Sequence, residues 1–91
     1  MYSIHKYHIN QANNPVTIRM PKGAHVLHVD CQHGDLCMWA QVPLNVPLVT
    51  RKFVAQPTGA EFLESDLSNY IGTIHIPVVE EFWHIYELFN K

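Results

Sequence analysis

The stretch from residue 26 to residue 41 constrains the fold most, because apolar and polar residues alternate on both sides of His33-Gly34. A two-residue turn at His33-Gly34 pairs Gln32 with Asp35 and brings the apolar residues of both arms to one face of a hairpin. These apolar residues are Leu27, Val29, Cys31, Leu36, Met38 and Ala40. A three-residue turn that included Asp35 would mix apolar and polar side chains on each face. The two-residue turn is therefore favoured, because it places the apolar residues of both arms on the same face.

The same register separates the two cysteines of the chain. Cys31 and Cys37 fall on opposite faces of the hairpin, which prevents a disulfide bond between them. Gly34 suits the positive φ of a type I′ turn, and His33 is tolerated at the position before it. We therefore interpret this stretch as a hairpin and not as a disulfide-linked or metal-binding loop.

The remaining sequence also has the pattern of strands separated by turns. Residues 2–10 show low amphipathic contrast, which indicates an edge-like strand, and residues 16–20 alternate more clearly. Further strands are predicted at 48–56 and 70–76, and the loop between them includes one helical turn near Phe62. Within the 48–56 strand one set of alternating residues is predicted to face the core, with Arg51 at the boundary of that face: Val49, Arg51, Phe53 and Ala55.

The C-terminal segment, residues 79–90, fits two interpretations. Val79, Phe82, Trp83 and Tyr86 have helical spacing, yet the segment also fits a strand that is covered on both faces. Its aromatic and β-branched residues favour the strand. Together these patterns predict a β-rich, antiparallel sandwich or barrel-like domain of six to seven strands with at most one short helical turn.

Length, composition and charge narrow the class of protein. A chain of 91 residues with 47% hydrophobic and 15% charged residues is expected to form a single domain, residues 1–91. Its six Lys and Arg residues are scattered and its net charge is −2, which argues against a duplex nucleic acid partner. No segment has the form of a secretory signal or a membrane span, so a cytosolic protein is expected. Because small domains bury a small fraction of their surface, a homo-oligomer is also expected.

Seven histidines and two cysteines raise the questions of metal binding and catalysis. Both His5 with His8 and His25 with His28 are three residues apart, a spacing that places each pair on opposite faces of a strand. We therefore predict no metal site and no cofactor. Cys37 and His28 share a face of neighbouring strands and resemble a nucleophile and base, but no oxyanion pocket accompanies them. The sequence therefore predicts a protein that is not an enzyme.

Trp39 is predicted on the polar face of the hairpin, beside His28, where a large aromatic side chain needs something to cover it. Packing against another strand or a subunit would cover the ring, and so would stacking with a nucleobase or another planar ligand. Trp39, Trp83 and Tyr86 are also candidate anchors for a protein interface, because aromatic residues dominate interface energetics.

The loop that follows the 48–56 strand is a candidate phosphate-binding site. Thr58 offers a hydroxyl and Gly59 an accessible backbone, while Arg51 and Lys52 supply cations nearby. An ordinary turn explains Pro57, Thr58 and Gly59 equally well.

Several short motifs follow one another over nearly the whole chain and resemble a known family in their order and spacing. They are IHKY at 4–7, MPKGAHVLHVD at 20–30, CMWA at 37–40, TRKF at 50–53 with TG at 58–59, and YIGTI at 70–74. In this succession the chain resembles short tailed-phage proteins that are catalogued mostly as a domain of unknown function. The resemblance implies a phage origin, a compact β-rich fold and no enzymatic motif. The family's Gly-Thr-Gly-His-Pro loop is absent, since residues 56–61 read QPTGAE.

Small accessory phage proteins of this kind often counter host defence, and some act as oligomeric sponges that sequester cyclic-nucleotide signals (anti-CBASS proteins). The resemblance thus implies a non-enzymatic anti-defence binding protein in the host cytoplasm. As a sponge, it would hold a cyclic nucleotide between subunits through Trp39, Arg51, Lys52, Thr58 and Gly59. The alternative is a protein-interaction module that inhibits a host defence enzyme through an exposed aromatic β surface.

Overall fold

The computed structural model describes residues 1–9, 14–62 and 69–89, and these residues form seven β-strands and one short 3-10 turn at Pro77–Val79. The strands are β1 (Tyr2–Ile9), β2 (Val16–Pro21), β3 (His25–Gln32), β4 (Asp35–Pro43), β5 (Leu48–Pro57), β6 (Asn69–Ile76) and β7 (Glu81–Leu88). The predicted β-rich antiparallel fold is confirmed, and so is the strand interpretation of the C-terminal segment. Phe62 itself is not helical, and residues 63–68, where the predicted helical turn would continue, lie outside the described residues.

The strands form two antiparallel sheets that enclose one hydrophobic core. Sheet A has the order β1-β4-β3, and sheet B has the order β2-β5-β7-β6. Both sheets contribute side chains that are completely or almost completely buried: Met20, Leu36, Met38, Phe53, Ile74 and Ile85. Along one side of the sandwich the edge strands β3 and β6 contact each other. Each sheet thus buries one face against the other and leaves one face outward.

The hairpin between β3 and β4 has the predicted register. Gln32 lies opposite Asp35, and both turn residues have positive φ, 52° at His33 and 84° at Gly34. These angles are those of a type I′ turn, whose twist matches that of the flanking strands. Both cysteines are free thiols, as the register predicts.

A β-bulge in β3 changes the predicted faces at the start of this hairpin. Val26 lies opposite Ala40 and His28 opposite Trp39, so that Leu27 is the extra residue. Val26 consequently packs against the core and Leu27 is 48% exposed, which makes the predicted core position of Leu27 wrong. His25 lies opposite Gln41 and shares the outward face with His28, so their predicted separation onto opposite faces is also wrong. The physical reason is that a bulge consumes one residue and inverts the alternation that precedes it.

Candidate functional site

Trp39 lies on β4, the central strand of sheet A, with its ring on the outward face of that sheet. Its register neighbours are Lys6 on β1 and His28 on β3. The imidazole of His28 lies 5.9 Å from the indole, centre to centre, and its Nε2 is 3.4 Å from a carboxylate oxygen of Asp30. Trp39 is only partly covered by these neighbours, since its burial is intermediate. The predicted outward position of Trp39 beside His28 is therefore confirmed.

Two exposed apolar side chains extend the outward face around Trp39. Tyr2 is 64% exposed and Ile4 is 61% exposed. Both lie on the same side of β1 as Lys6, since the three residues occupy every second position of the strand. Lys6 Nζ donates a 2.6 Å hydrogen bond to Gln32 Oε1, so the Lys6 side chain crosses β4. We call the surface formed by Tyr2, Ile4, Lys6, His28 and Trp39 the Trp39 face. It combines an aromatic centre, aliphatic area and one permanent cation.

Arg51 is held inside the chain by an ion pair with Glu87. Its Nε and Nη2 donate hydrogen bonds of 2.6 and 2.7 Å to the two carboxylate oxygens of Glu87, and Nη1 donates to the backbone oxygen of Ala24 at 2.7 Å. The guanidinium also lies 5.6 Å from the ring centre of Phe53. The side chains of Arg51 and Glu87 are only 22% and 6% exposed. Arg51 therefore has the predicted boundary position, but all three guanidinium nitrogens already have partners within the chain.

The hydrogen bonds to Glu87 raise the pKa of the Arg51 guanidinium above its ordinary value, although burial acts in the opposite direction. Sequence reasoning missed Glu87. The sequence did contain a signal for it: Glu87 occupies the same alternating set of β7 positions as Trp83 and Ile85, whose side chains point inward. A carboxylate at such a position needs a cation, and Arg51 was the predicted cation on the core side of the neighbouring strand.

The Thr58-Gly59 turn is attached to sheet B by a chain of side-chain hydrogen bonds. Thr58 Oγ1 is 2.8 Å from His84 Nε2, and His84 Nδ1 is 3.0 Å from Thr73 Oγ1, which in turn contacts the hydroxyl of Tyr70 at 2.5 Å. Gly59 has a φ of 93°, which favours glycine at this position. The Thr58 hydroxyl therefore orients the turn against β7.

A cleft of about 340 Å³ lies beside this turn and is lined by Pro57, Thr58, Glu80, Glu81 and Phe82. Glu80 and Glu81 give the cleft two carboxylates, which repel a phosphate group. Lys52 lies apart from the cleft, on the outward face of sheet B opposite Leu88. The turn predicted to bind phosphate is thus bordered by negative charge.

The three predicted interface anchors occupy three different environments. Trp83 lies in the core, 8% exposed, and its Nε1 donates a hydrogen bond to Glu81 Oε1 at 3.2 Å. Tyr86 lies on the outward face of sheet B, with its ring 5.4 Å from that of Tyr70 and 6.3 Å from that of Phe62. An interface role for Trp83 requires an exposed ring, and the structure places that ring between the sheets. Trp39 and Tyr86 are both partly exposed on outward faces, on sheet A and sheet B respectively.

The predicted Cys37–His28 pair is not formed. Cys37 is completely buried, and its Sγ lies 4.0 Å from Nδ1 of His8, while His28 contacts Asp30 and Trp39. Burial raises the pKa of the Cys37 thiol, which favours the unreactive protonated form. Within residues 1–9, 14–62 and 69–89, no group of three or more His, Cys, Asp or Glu side chains is arranged to hold a metal ion.

The structure therefore does not bring the five predicted ligand-binding residues together in one chain. Trp39 faces outward from sheet A, Arg51 lies inside the sandwich, and Lys52, Thr58 and Gly59 belong to sheet B or the turn at its end. Their ligand roles stay predictions.

Comparison with known proteins gives one match. A family model described as a domain of unknown function (DUF7352) matches residues 1–91. The chain matches no curated protein and no solved structure. In the described part of the chain, no helix has the length and apolar character required to cross a bilayer.

Proposed function

We propose that this chain, which belongs to the family described as a domain of unknown function (DUF7352), is a non-enzymatic binding protein that docks a partner protein on the Trp39 face. The observation that carries the proposal is the partly covered indole of Trp39 on the outward surface of sheet A, with the exposed side chain of Ile4 diagonally next to it and that of Tyr2 further along the same side of β1. Binding through this face requires no chemistry on the partner.

The composition of the Trp39 face is that of a protein interface. Binding energy in such interfaces is concentrated in a few aromatic or arginine anchors near the centre, surrounded by contacts that exclude water. Trp39 lies between Lys6 and His28, which provide polar groups directly beside the indole, and Ile4 and Tyr2 extend the apolar area along β1. Solvent-exposed charges such as that of Lys6 contribute to orientation and association rate more than to affinity.

The partner that we propose is a host defence protein, which this protein would bind in the cytoplasm of a bacterial host. The resemblance of the sequence motifs to short tailed-phage proteins supports this choice. Inhibition would follow from occupation of the partner's surface.

Substitution of Trp39 by alanine tests this proposal. We expect Trp39→Ala to weaken capture of the partner from host lysate, and to raise its Kd by roughly 30-fold or more, because truncation of a central anchor costs about 2 kcal/mol or more. Lys52→Ala is the matched control, since Lys52 is exposed on the outward face of the other sheet. Retention of the partner by Trp39→Ala, with an unchanged melting temperature, contradicts the proposal.

A second candidate function is a cyclic-nucleotide sponge, and the position of Trp39 between Lys6 and His28 favours it. An indole stacks on a base with about 1–3 kcal/mol, and the Lys6 ammonium supplies a charge for phosphate. In this version Arg51 plays no part, because its guanidinium is paired with Glu87.

Calorimetric titration with a panel of cyclic di- and trinucleotides tests the sponge. A ligand at 100 times its Kd stabilises the fold by about 2.7 kcal/mol, which a thermal shift detects. If no cyclic nucleotide of the panel gives a heat of binding or a thermal shift, the sponge function is rejected and the protein-binding proposal is unaffected.

A further inference from the structure

In the part of the chain that the structure describes, the sandwich has four edge strands, and they differ in how they are protected from pairing with another chain. Edge strands commonly carry bulges, prolines or charges that prevent such pairing. The edge strands β3 and β6 each contain a register shift and contact each other. The edge strand β2 is short, is preceded by Pro15 and ends at Pro21. Three of the four edges therefore have recognisable protection.

The edge strand β1 lacks these devices. Its eight residues, Tyr2–Ile9, include no Pro and no Gly, and they pair with β4 without a register shift. Its one formally charged residue, Lys6, does not prevent pairing at the free edge, because its ammonium is directed away from that edge and bonded to Gln32 on the far side of β4. Within the described ranges no strand pairs with the outer edge of β1, which thus presents an uninterrupted row of backbone donors and acceptors.

We infer that β1 pairs antiparallel with β1 of a second copy of this chain, around a two-fold axis at His5. Two copies of the same edge are complementary when they lie antiparallel, because the two-fold axis places each free backbone N–H of one copy opposite a C=O of the other. The result is a continuous six-stranded sheet with the order β3-β4-β1-β1-β4-β3. This interaction goes beyond the proposed function, which requires only the Trp39 face of one copy.

The register follows from the alternation of faces and from charge. Opposite residues must share a face of the continuous sheet, so residue pairs must both be even-numbered or both odd-numbered. Two such registers keep seven residues of β1 paired, one centred on His5 and the other on Lys6. The register centred on Lys6 places the two Lys6 side chains directly opposite each other, so their positive charges lie closer together than in the register centred on His5, even with each ammonium bonded to Gln32 across β4. The register centred on His5 instead places Lys6 opposite the partner's Ile4 and Tyr2 opposite the partner's His8.

Charge substitutions at His5 test this pairing by sedimentation equilibrium. The unmodified protein should have a mass of about 21 kDa, twice that of the 10.5 kDa chain. His5→Lys and His5→Glu each place like charges opposite each other and should raise the dimer Kd by about tenfold or more. A mixture of the two variants should restore the dimer. His25→Lys is the matched control, because His25 is exposed on the protected edge strand β3.

Hydrogen exchange at the β1 amides provides a second readout that does not depend on the substitutions. Alternate amides of residues 2–8 should become protected as protein concentration rises. A monomer at all concentrations overturns the inference, and so does a dimer that both His5 variants retain. Protection of β1 only after a different protein is added also overturns it, because that protein is then the occupant. Trp39→Ala should keep the dimer, which separates this result from a failure of the proposed function.

Discussion

Replacement of Arg51 by methionine should reveal how much of the fold depends on the ion pair with Glu87. The Glu87 carboxylate is 6% exposed and receives two hydrogen bonds from Arg51. In Arg51→Met the aliphatic stem is kept, but the carboxylate is left buried without a cation. Removal of one partner from a buried ion pair costs about 3–5 kcal/mol, because the remaining charge is uncompensated.

This loss is large for a domain of this size. A 91-residue domain is stabilised by roughly 5–14 kcal/mol. A loss of 3 kcal/mol corresponds to a decrease in Tm of roughly 12–24 °C. Urea denaturation followed by circular dichroism measures the free energy of unfolding directly, and an unchanged m-value would show that the compactness of the unfolded state is the same.

Two further variants make the result decisive. Lys52→Met removes an exposed cation at the next position and should change the free energy of unfolding by less than about 0.5 kcal/mol. The double variant Arg51→Met/Glu87→Leu should recover most of the loss, since apolar pairs often replace buried ion pairs without penalty. Two results would refute the structural role of Arg51: a decrease below about 1 kcal/mol in the free energy of unfolding of Arg51→Met, or strictly additive effects of Arg51→Met and Glu87→Leu. Arg51 would then again be a candidate for ligand binding.

Two other predictions concern packing and pH. Burial raises the pKa of the Cys37 thiol in the folded state, so its contribution to the free energy of unfolding should be fully present below the ordinary thiol pKa of 9.0 and should fall as the pH rises above it, by up to about 1.4 kcal/mol per pH unit. Urea denaturation between pH 9 and 10 should show this slope and Cys37→Ala should remove it there, whereas above the ordinary pKa of 10.0 Tyr7, whose pKa is also raised by burial, adds a slope of its own. Gly72→Ala should destabilise by about 1–3 kcal/mol, because the added Cβ would lie 2.8 Å from Cγ2 of Val29. Thermal denaturation of Gly72→Ala combined with Val29→Ala should show less than the sum of the two separate losses, and full additivity would contradict the clash.

Local sequence determined the strand positions and the hairpin between β3 and β4. The register at Gln32 and Asp35 follows from alternation over a few residues and from a turn that needs positive φ at two positions. Both are properties of neighbours in the chain, so they can be deduced without knowing what packs on the hairpin. The outward position of Trp39 followed from the same register.

Tertiary structure alone decided which strands meet and where the alternation is interrupted. The bulge at Leu27 exchanges the faces of Val26 and Leu27, and nothing in the local pattern marks its position. The Arg51–Glu87 pair joins residues 36 apart on adjacent strands, and its formation occupies a cation that the sequence pattern offered for ligand binding. Pairing between distant strands depends on the combined fit of both sheets around one core, and this fit is not contained in any single segment.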